Sequence, residues 1–435
     1  MPTETGRTGR ECGHIGRVVT RRLPRRARWS TARQAPAGYP GTVSIPTDAA
    51  VVWNSALLDY DLGGSHPLNP VRLDLTIRLA SELGVLDGVS LLVPEQAPES
   101  ELLRTHSPDY LDAVKRAPDV PYEVGHGLGT DDNPVFENMH SAASLVVGSS
   151  LLAAQRIASG TTDRAVNIAG GLHHAMRDTA AGFCVYNDCS VAISWLLDNG
   201  FERIAYLDAD VHHGDGVQAA FYDDPRVLTV SLHQHPMTLW PGTGMPSETG
   251  GEHAPGTSVN VALPPMTSDA GWLRAFDAVV PSLLGAFQPQ ILVTQCGVDS
   301  HRDDPLADLA LTVDGHRAIY HRLRDLAARH TGGKWLALGG GGYQLVTVVP
   351  RSWTHLLATA LGRDIAPDTP MPQGWLRAVR AAAPQLALPT TLSDGGDPAC
   401  QPWGGDTEHR VDEAITSTRR AVFPLHGLDP DDPRD

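Results

Sequence analysis

The sequence predicts an α/β protein with a single open, mostly parallel β-sheet flanked by helices on both faces. Short apolar runs alternate with longer amphipathic stretches from residue 49 onward, which is the pattern of parallel strands joined by helices. Five of these runs lead directly into clusters of glycine, serine, histidine or aspartate. Because ligands of such sheets bind beyond the carboxyl ends of the strands, the clusters predict a functional site along that edge.

The predicted strands are short and apolar, which favours burial. After a Pro/Gly-rich segment, 36–46, a first strand-like run begins at Ala49. Later strands are predicted at Ala165–Ala169, Ile204–Leu207, Val227–Leu232, Ile291–Gln295 and Trp335–Leu338. Amphipathic periodicity predicts helices at Ala142–Ala158, Val191–Asn199, Trp272–Phe287 and Gly315–Ala328, with a last helix at Thr407–Ala421. No internal repeat is present.

The length and composition suit one large α/β domain or two smaller ones, since 41% of the 435 residues are hydrophobic. We expect a single domain over 46–428, a basic, disordered extension over 1–45 and an acidic, frayed tail over 429–435. No apolar stretch approaches the length needed to cross a bilayer. We therefore expect no membrane partner, and the oligomeric state is left open.

The formal charge of −16 is unevenly distributed. The first forty residues hold nine arginines and two glutamates, a charge of +7, so the remaining chain carries −23. An acidic body disfavours nucleic acid as a partner and suits cationic ones. The basic arm has no apolar core of a secretory signal. It could bind polyanions, but an unstructured extension or a mis-assigned start codon explains it equally well.

The five cysteines are scattered and odd in number, which argues for a reducing compartment and against a disulfide framework. They are Cys12, Cys184, Cys189, Cys296 and Cys400. None has the close pairing of a structural zinc site. We expect a cytoplasmic protein.

The most informative segment is 207–216, which follows an apolar run and packs three carboxylates and two imidazoles into ten residues. If the extended conformation continues, Asp208, Asp210 and His212 share one face, because side chains alternate along a strand. Buried ionisable groups must pair or hold a metal. An imidazole and a carboxylate two residues apart suit a divalent transition metal. The alternative is a solvated acidic loop.

A third ligand is available at Asp299, which follows a buried strand and Gly297. With Asp210 and His212 it would give a metal two carboxylates and one imidazole. Such a set leaves a position open for water and substrate, as in catalytic zinc sites, and zinc lowers the pKa of water towards neutrality. Taken alone, Asp299 is better explained as a helix N-cap.

Two further clusters supply acid–base and hydrogen-bonding groups. His173 and His174 follow two glycines, and with the remaining Asp208 and Asp215 they suggest two His–Asp dyads beside one metal. Four glycines precede Tyr343, whose phenol could donate to a developing oxyanion. The alternative is a flexible loop with a surface tyrosine. A phosphate cradle is disfavoured, since no Lys-Ser/Thr follows.

These motifs, in this order, resemble those of the histone-deacetylase-like zinc amidohydrolases of the arginase/deacetylase superfamily. The matching blocks are Gly-Gly-x-His-His-Ala from Gly170, Gly-Phe-Cys-x-x-Asn-Asp from Gly182, Asp-x-Asp-x-His-His-Gly-Asp-Gly from Asp208 and Gly-Gly-Gly-Gly-Tyr from Gly339. The resemblance spans 49–428. Segments 129–136 and 421–428 further resemble the bacterial acetoin-utilisation branch of the family.

The resemblance implies a role for each matching residue. The implied metal ligands are Asp210, His212 and Asp299. The implied catalytic set is His173, His174, Asp208, Asp215 and Tyr343. In it, His174 with Asp215 would be the general base and then the acid, His173 with Asp208 the electrostatic partner, and Tyr343 the group that polarises the acetyl carbonyl.

The resemblance also implies substrate contacts. Asp132 matches an aspartate that holds the substrate backbone at the rim, and Arg72 would line an inner channel for acetate. Phe183 and Trp240 match the aromatic walls of an acyl-lysine tunnel, although the second wall is more often Phe. The implied substrate-binding set is Arg72, Asp132, Gly182, Phe183, Trp240 and Leu306. A structural potassium ion would lie at Asp208, Asp210, His212, Ser231 and Leu232.

The implied activity is zinc-dependent hydrolysis of N-acetyl-lysine in acetylated proteins or peptides, in acetoin or acetate utilisation. Iron(II) would fit the same ligands. An acetylpolyamine amidohydrolase is the main alternative, because the acidic body suits a cationic chain. A two-manganese ureohydrolase would need further bridging aspartates. A non-catalytic acetyl-lysine binding module would usually have lost the tyrosine or a ligand.

Overall fold

In the computed structural model, residues 49–120, 125–405 and 410–435 are described. The predicted N-terminal extension, 1–45, lies outside them. The strands of the described residues are β1 Ala49–Val52, β2 Leu91–Leu92, β3 Arg164–Asn167, β4 Ile204–Asp208, β5 Val227–Gln234, β6 Ser258–Leu263, β7 Ile291–Gln295 and β8 Trp335–Leu338. They form one open sheet in the order β2-β1-β3-β8-β7-β4-β5-β6, and each pair is parallel. The predicted fold class is confirmed.

Helices cover both faces of this sheet. The α-helices of the described ranges are α1 Val71–Glu82, α2 Glu99–Leu102, α3 Pro108–Arg116, α4 Met139–Ala158, α5 Asp188–Asp198, α6 Asp215–Phe221, α7 Asp269–Phe287, α8 Val313–His330, α9 Val349–Ala360, α10 Gln373–Ala382 and α11 Arg410–Val422. Short 3₁₀ turns occupy Ser55–Asp59, Ala117–Asp119 and Phe423–His426.

Alternating residues of β4 divide the core between the two faces. Tyr206 packs with Ile193 of α5 and Val217 of α6, whereas Leu207 belongs to the cluster that holds Val280 of α7 and Leu323 of α8. All five residues of β4 are buried. Since both faces of the strand are covered, its sequence is a continuous apolar run up to Asp208, as expected for a parallel sheet.

The predicted starts of three helices lie two to three residues after the observed starts. The helix predicted from Ala142 starts at Met139, the one from Val191 at Asp188, and the one from Gly315 at Val313. Polar first turns obscure the apolar periodicity at these ends. Side-chain caps explain the true starts of the last two, because the side chain of Asn187 accepts the N–H of Ser190 and that of Thr312 accepts the N–H of Gly315.

The expectation that no apolar stretch approaches the length needed to cross a bilayer is wrong for one helix. Helix α4, Met139–Ala158, is long and apolar enough to cross a bilayer by those criteria. Its most apolar window is 72% buried inside the protein, where the helix packs on α5, β1 and β3. It is therefore a core helix, whose apolar residues are buried against strands and a neighbouring helix.

The acidic tail is not frayed as expected. The guanidinium of Arg419, fully buried in α11, donates hydrogen bonds to the carbonyl oxygens of Asp429, Pro430, Asp432 and Asp435 at 2.6–3.0 Å. A buried guanidinium needs its donors satisfied, and the tail backbone supplies the acceptors. The tail thus packs against the domain through its carbonyl groups, while its carboxylates remain at the surface. The predicted last helix, Thr407–Ala421, is observed from Arg410 onward, and 406–409 lie outside the described residues.

Candidate active site

The final residues of the four central strands lie side by side. Asn167 of β3 pairs with Leu338 of β8, Leu338 with Gln295 of β7, and Gln295 with Asp208 of β4. The four segments that follow these strands therefore leave the sheet at one level, and four of the predicted polar clusters meet there. The fifth cluster, Ser231–His233, does not follow a strand end. It lies within β5, which continues to Gln234.

Asp210, His212 and Asp299 converge into one group whose nitrogen and oxygen ligand atoms lie within 4.8 Å of one another. The Nδ1 atom of His212 is 3.2 Å from Oδ1 of Asp210 and 3.1 Å from Oδ2 of Asp299. Both carboxylates are buried, with 1% and 0% of their surface exposed. Asp210 and Asp299 come from different strand ends, so the fold assembles the group.

Two glycines make room for these carboxylates. A Cβ atom at Gly297 would lie 2.0 Å from Oδ2 of Asp210, and one at Gly341 would lie 2.0 Å from Oδ2 of Asp299. Any side chain at either position would displace a carboxylate. This requirement, rather than loop flexibility, accounts for glycine at both positions.

Neighbouring donors orient the carboxylates. Oδ2 of Asp210 accepts the backbone N–H of Gly341 at 2.8 Å and the side-chain amide of Gln295 at 2.7 Å. Oδ1 of Asp299 accepts the N–H of Val211 at 2.9 Å. Gln295 was not predicted from the sequence as a site residue. The one feature that could have indicated it is a polar amide at the end of an otherwise apolar strand.

The donor set fits a divalent metal. Burial and the negative charge of Asp210 raise the pKa of Asp299 to about 6. Two adjacent carboxylates without water are costly, and a cation between them offsets that cost. Two carboxylates and one imidazole also match the ligand chemistry of catalytic zinc and iron(II) sites.

His173 forms the first His–Asp pair. Its Nδ1 lies 2.7 Å from Oδ2 of Asp208, which also accepts the phenol of Tyr206 at 2.7 Å. Burial lowers the pKa of His173, but the charges of Asp208 and Asp210 outweigh this effect and raise it to about 9. His173 is therefore a cation at neutral pH. Tyr206 was not predicted, because it lies inside the apolar strand.

His174 forms the second His–Asp pair, and its pKa is shifted in the opposite direction. Its Nδ1 lies 2.7 Å from Oδ1 of Asp215, the first residue of α6. Burial lowers the pKa of His174 to about 4, and the charge of His173 acts in the same direction. His174 is thus neutral. Its Nδ1–H donates a hydrogen bond to Asp215, and its Nε2 is free to accept a proton.

Tyr343 lies beside this group. Burial and the negative charges of Asp299 and Asp210 raise its pKa well above the usual range, so the phenol keeps its proton. The N–H of Tyr343 donates to Oδ2 of Asp304 at 2.8 Å, and Oδ1 of Asp304 accepts the N–H of Leu306 at 3.0 Å. Asp304, which was not predicted, ties the glycine-rich segment to the segment after Asp299.

Comparison with known proteins identifies this arrangement. The histone deacetylase domain family matches residues 66–360. The acetoin utilization protein AcuC of Bacillus subtilis is 39% identical over 354 residues, covering 80% of this chain and 91% of that protein. The AcuC of Staphylococcus xylosus is 36% identical, covering 79% and 90%. The chain belongs to the histone deacetylase family.

Solved structures agree with this assignment. A histone deacetylase homologue in complex with SAHA superposes with a TM-score of 0.75 at 28% identity, covering 86% of this chain and 99% of that one. A homologue from Aquifex aeolicus gives a TM-score of 0.73 at 27% identity, covering 85% and 99%. This chain is accordingly a hydrolase of the deacetylase type, and its family fold indicates a metal cofactor.

Two aromatic rings contact residues of this centre. The Phe183 ring meets Tyr343 edge-on at 5.5 Å, and the Trp240 ring meets His174 edge-on at 4.6 Å. A Cβ atom at Gly182 would lie 2.5 Å from Cδ2 of His174 and 2.7 Å from the Trp240 ring. Glycine at 182 thus lets Trp240 pack against the imidazole.

Two other predicted substrate residues lie close to the same centre. Arg72 is buried, and its Nη1 donates to the carbonyl oxygens of Gly340 and Gly342 at 2.8 and 3.1 Å, with Trp353 beneath the guanidinium. Arg72 therefore fixes the segment that carries Tyr343. Leu306 is half-buried, and its N–H donates to the same carboxylate of Asp304 that accepts the N–H of Tyr343.

The predicted rim residue Asp132 is exposed. Its backbone carbonyl accepts the Nε2–H of His66 at 3.2 Å, and the His66 ring packs edge-on against Phe183 at 4.5 Å. The segment bearing Asp132 is therefore attached to one aromatic wall. Its carboxylate faces water, where it is available to a ligand.

The potassium site stays a prediction. Asp208 and Ser231 lie opposite each other in paired strands. The Ser231 hydroxyl is 2.8 Å from Nδ1 of His233, so it already has a partner.

Proposed function

We propose that the chain is a zinc-dependent deacetylase that hydrolyses the amide bond of N-acetyl-lysine in proteins. The observation that carries this proposal is the position of the neutral His174 beside the buried group of Asp210, His212 and Asp299. A base, a metal-binding group and a protonated phenol converge within one centre, below two aromatic rings. That combination suits hydrolysis of an amide at the end of a slender, apolar chain.

Asp210, His212 and Asp299 would hold the metal. A divalent ion bound there polarises a carbonyl oxygen and lowers the pKa of water. Zinc is the ion we propose, because two carboxylates and one imidazole leave it an open position. Iron(II) accepts the same ligands.

The histidines divide the proton chemistry. In this proposal Nε2 of His174 takes a proton from the attacking water, while Nδ1–H keeps its hydrogen bond to Asp215. As the carbon–nitrogen bond breaks, Nε2 returns that proton to the lysine nitrogen, so one amide and one water give an amine and acetic acid, which at neutral pH become a lysine ammonium and acetate. The cation of His173 stabilises negative charge nearby, and Tyr343 donates a hydrogen bond to the carbonyl oxygen as it becomes anionic.

The proposed substrates are acetylated enzymes of acetoin or acetate metabolism, in the cytoplasm. Support comes from the acetoin utilization proteins to which the chain is similar. The exposed carboxylate of Asp132 adds to this, since a rim carboxylate suits the N–H groups of a polypeptide. The four described cysteines are free thiols, which suits a reducing compartment.

Substrate profiling tests this proposal. The zinc-loaded protein is incubated with an acetyl-lysine peptide and with acetylputrescine, and acetate release is measured. We expect kcat/KM for the peptide to exceed that for the polyamine at least about tenfold, since one well-placed binding interaction is worth that factor. Equal or faster hydrolysis of acetylputrescine would assign the site to polyamines, which the acidic charge of the domain would also attract.

A further inference from the structure

Exposed apolar side chains follow two neighbouring strands, β5 and β6, at the carboxyl edge of the sheet. Met237 and Trp240 follow β5, and Met266 follows β6; their exposed fractions are 82%, 46% and 73%. We call these three residues the apolar rim. Single exposed apolar residues are ordinary, but a group beside a substrate site marks a binding surface.

The segments that bear the rim are fixed to each other. Gln234 pairs with Leu263 at the ends of β5 and β6, and His235 donates its N–H to the Leu263 carbonyl at 2.7 Å. The buried side chain of Gln234 donates to the Thr238 hydroxyl at 3.1 Å and accepts the N–H of Asp308 at 2.8 Å. One amide thus links the segment after β5 to the one that contains Leu306.

Met266 is held in an unusual conformation. Its φ angle is +67°, in the left-handed region that costs a residue with a side chain about 1–3 kcal/mol. Its N–H donates to the carbonyl of Asp308 at 2.7 Å, which keeps it there. An apolar side chain held at 73% exposure by its own strained backbone indicates a function at that position.

The apolar rim continues into the catalytic centre. The ring of Trp240 contacts His174 at 4.6 Å and lies 6.2 Å from the ring of His212. A ligand that reaches those histidines passes Trp240. Met237 lies three residues before Trp240, and consecutive Cα atoms are 3.8 Å apart, so the Cα atoms of Met237 and Trp240 are at most about 11 Å apart.

We propose that the apolar rim binds an apolar side chain next to the acetyl-lysine of a protein substrate. This rests on the proposed function, because the acetyl-lysine itself is what brings its neighbours to the mouth. Methionine suits such a surface, since its flexible, polarizable side chain adapts to different apolar partners. An acetylpolyamine has no side chain to bury there.

The test compares short acetyl-lysine peptides that differ only in the flanking residues, which are Leu, Ser or Glu. An isolated acetyl-lysine amide without neighbours is included. The zinc-loaded wild type is compared with the double variant Met237→Ser, Met266→Ser. The matched control is Leu425→Ser, because the Leu425 side chain is also exposed, to 50%, but lies beside Gly256, just before the amino end of β6, whereas Met266 follows the carboxyl end of that strand.

We expect the wild type and Leu425→Ser to favour the Leu peptide over the Ser peptide by about fivefold to tenfold in kcat/KM, through KM. The double variant should reduce that ratio to about twofold or less. Equal kcat/KM for all peptides, or an unchanged preference in the double variant, would overturn the proposal. If the isolated amide is still hydrolysed in that case, the proposed function stands. Absence of hydrolysis for every acetyl-lysine compound would overturn both.

Discussion

The imidazole rings of His173 and His174 lie 4.0 Å apart, yet their pKa values are shifted in opposite directions. The pKa of His173 rises to about 9, whereas that of His174 falls to about 4. Asp208 and Asp210 stabilise the cation on His173, and that cation disfavours a second one on His174. Adjacent imidazoles in different environments thus differ in how strongly they hold a proton, as the separate roles proposed for them require.

Replacing the carboxylate behind the base tests this division. Asp215→Asn replaces the carboxylate that accepts Nδ1–H of His174 by an amide whose NH2 group can instead donate to Nδ1, so the correct tautomer is no longer enforced. We expect kcat to fall about 10²–10⁴-fold, the range for general acid–base catalysis, with metal content unchanged. The control is Asp223→Asn, since Asp223 pairs with His253 at 2.6 Å on the surface. Loss of activity in the control, or full activity in Asp215→Asn, would contradict the role.

A double-mutant cycle tests whether Asp304 positions the tyrosine. Tyr343→Phe should lower kcat about 10²–10³-fold, as expected for one oxyanion donor. Asp304→Ala leaves the N–H groups of Tyr343 and Leu306 without their acceptor and should lower kcat by displacing the phenol. In the Tyr343→Phe background, Asp304→Ala should then change kcat little. Multiplicative losses in the double variant would show that Asp304 acts independently of the Tyr343 phenol and would contradict the positioning role.

The rim carboxylate is expected to distinguish polypeptides from small amides. Asp132 is exposed, so Asp132→Ala should not alter the melting temperature. It should weaken kcat/KM for an acetyl-lysine peptide about tenfold, because a carboxylate accepts backbone N–H groups in charge-assisted hydrogen bonds. A small acetylated amide lacks those donors. Equal losses for both substrates would mean that Asp132 does not hold the peptide backbone.

A buried ion pair away from the centre sets part of the pH dependence of stability. Asp394 accepts hydrogen bonds from Arg351, at 2.7 Å, and from His301, at 2.8 Å. Burial opposes its ionisation, but the His301 hydrogen bond and the Arg351 charge outweigh burial and hold its pKa below the usual range. Because the folded-state pKa is lowered, this stabilisation is present above the unfolded pKa of about 3.9 and is lost as the pH falls.

Asp394→Asn should therefore lower the free energy of unfolding by about 3–5 kcal/mol at pH 7, the usual cost of breaking a buried pair. The difference from wild type should shrink towards acid pH. Asp364→Asn provides a matched control, since Asp364 pairs with Arg324 on the surface and should lose less than about 1 kcal/mol. Melting curves at several pH values measure both. A difference that grows towards acid pH would contradict the sign.

The strands could be predicted because they are buried on both faces. Ile291–Gln295 and Trp335–Leu338 match the structure at both ends. The polar clusters that follow these strands meet because neighbouring parallel strands end at one level. A parallel topology alone implies this arrangement. Four of the five predicted strand ends contribute to the centre, and Asp210, His212 and Asp299 lie together as their chemistry required.

Single polar residues with no spacing pattern could not be predicted. Gln295, Asp304 and Gln234 act through backbone N–H groups and carboxylates that only the tertiary structure brings near them. The prediction of a frayed acidic tail was wrong for a related reason. Its acidic composition indicated solvation, whereas Arg419 binds its carbonyl groups, which every residue carries regardless of side chain.

The central claim is that Asp210, His212 and Asp299 hold the one metal ion on which deacetylation depends. The most direct measurement is acetate release from an acetyl-lysine peptide as zinc is added back to chelated protein, with bound metal determined in parallel. We expect activity to rise in proportion to bound zinc up to one ion per chain, and His212→Ala to lose metal and activity together. Full turnover by the metal-free protein, or full metal content and activity in His212→Ala, would contradict the account.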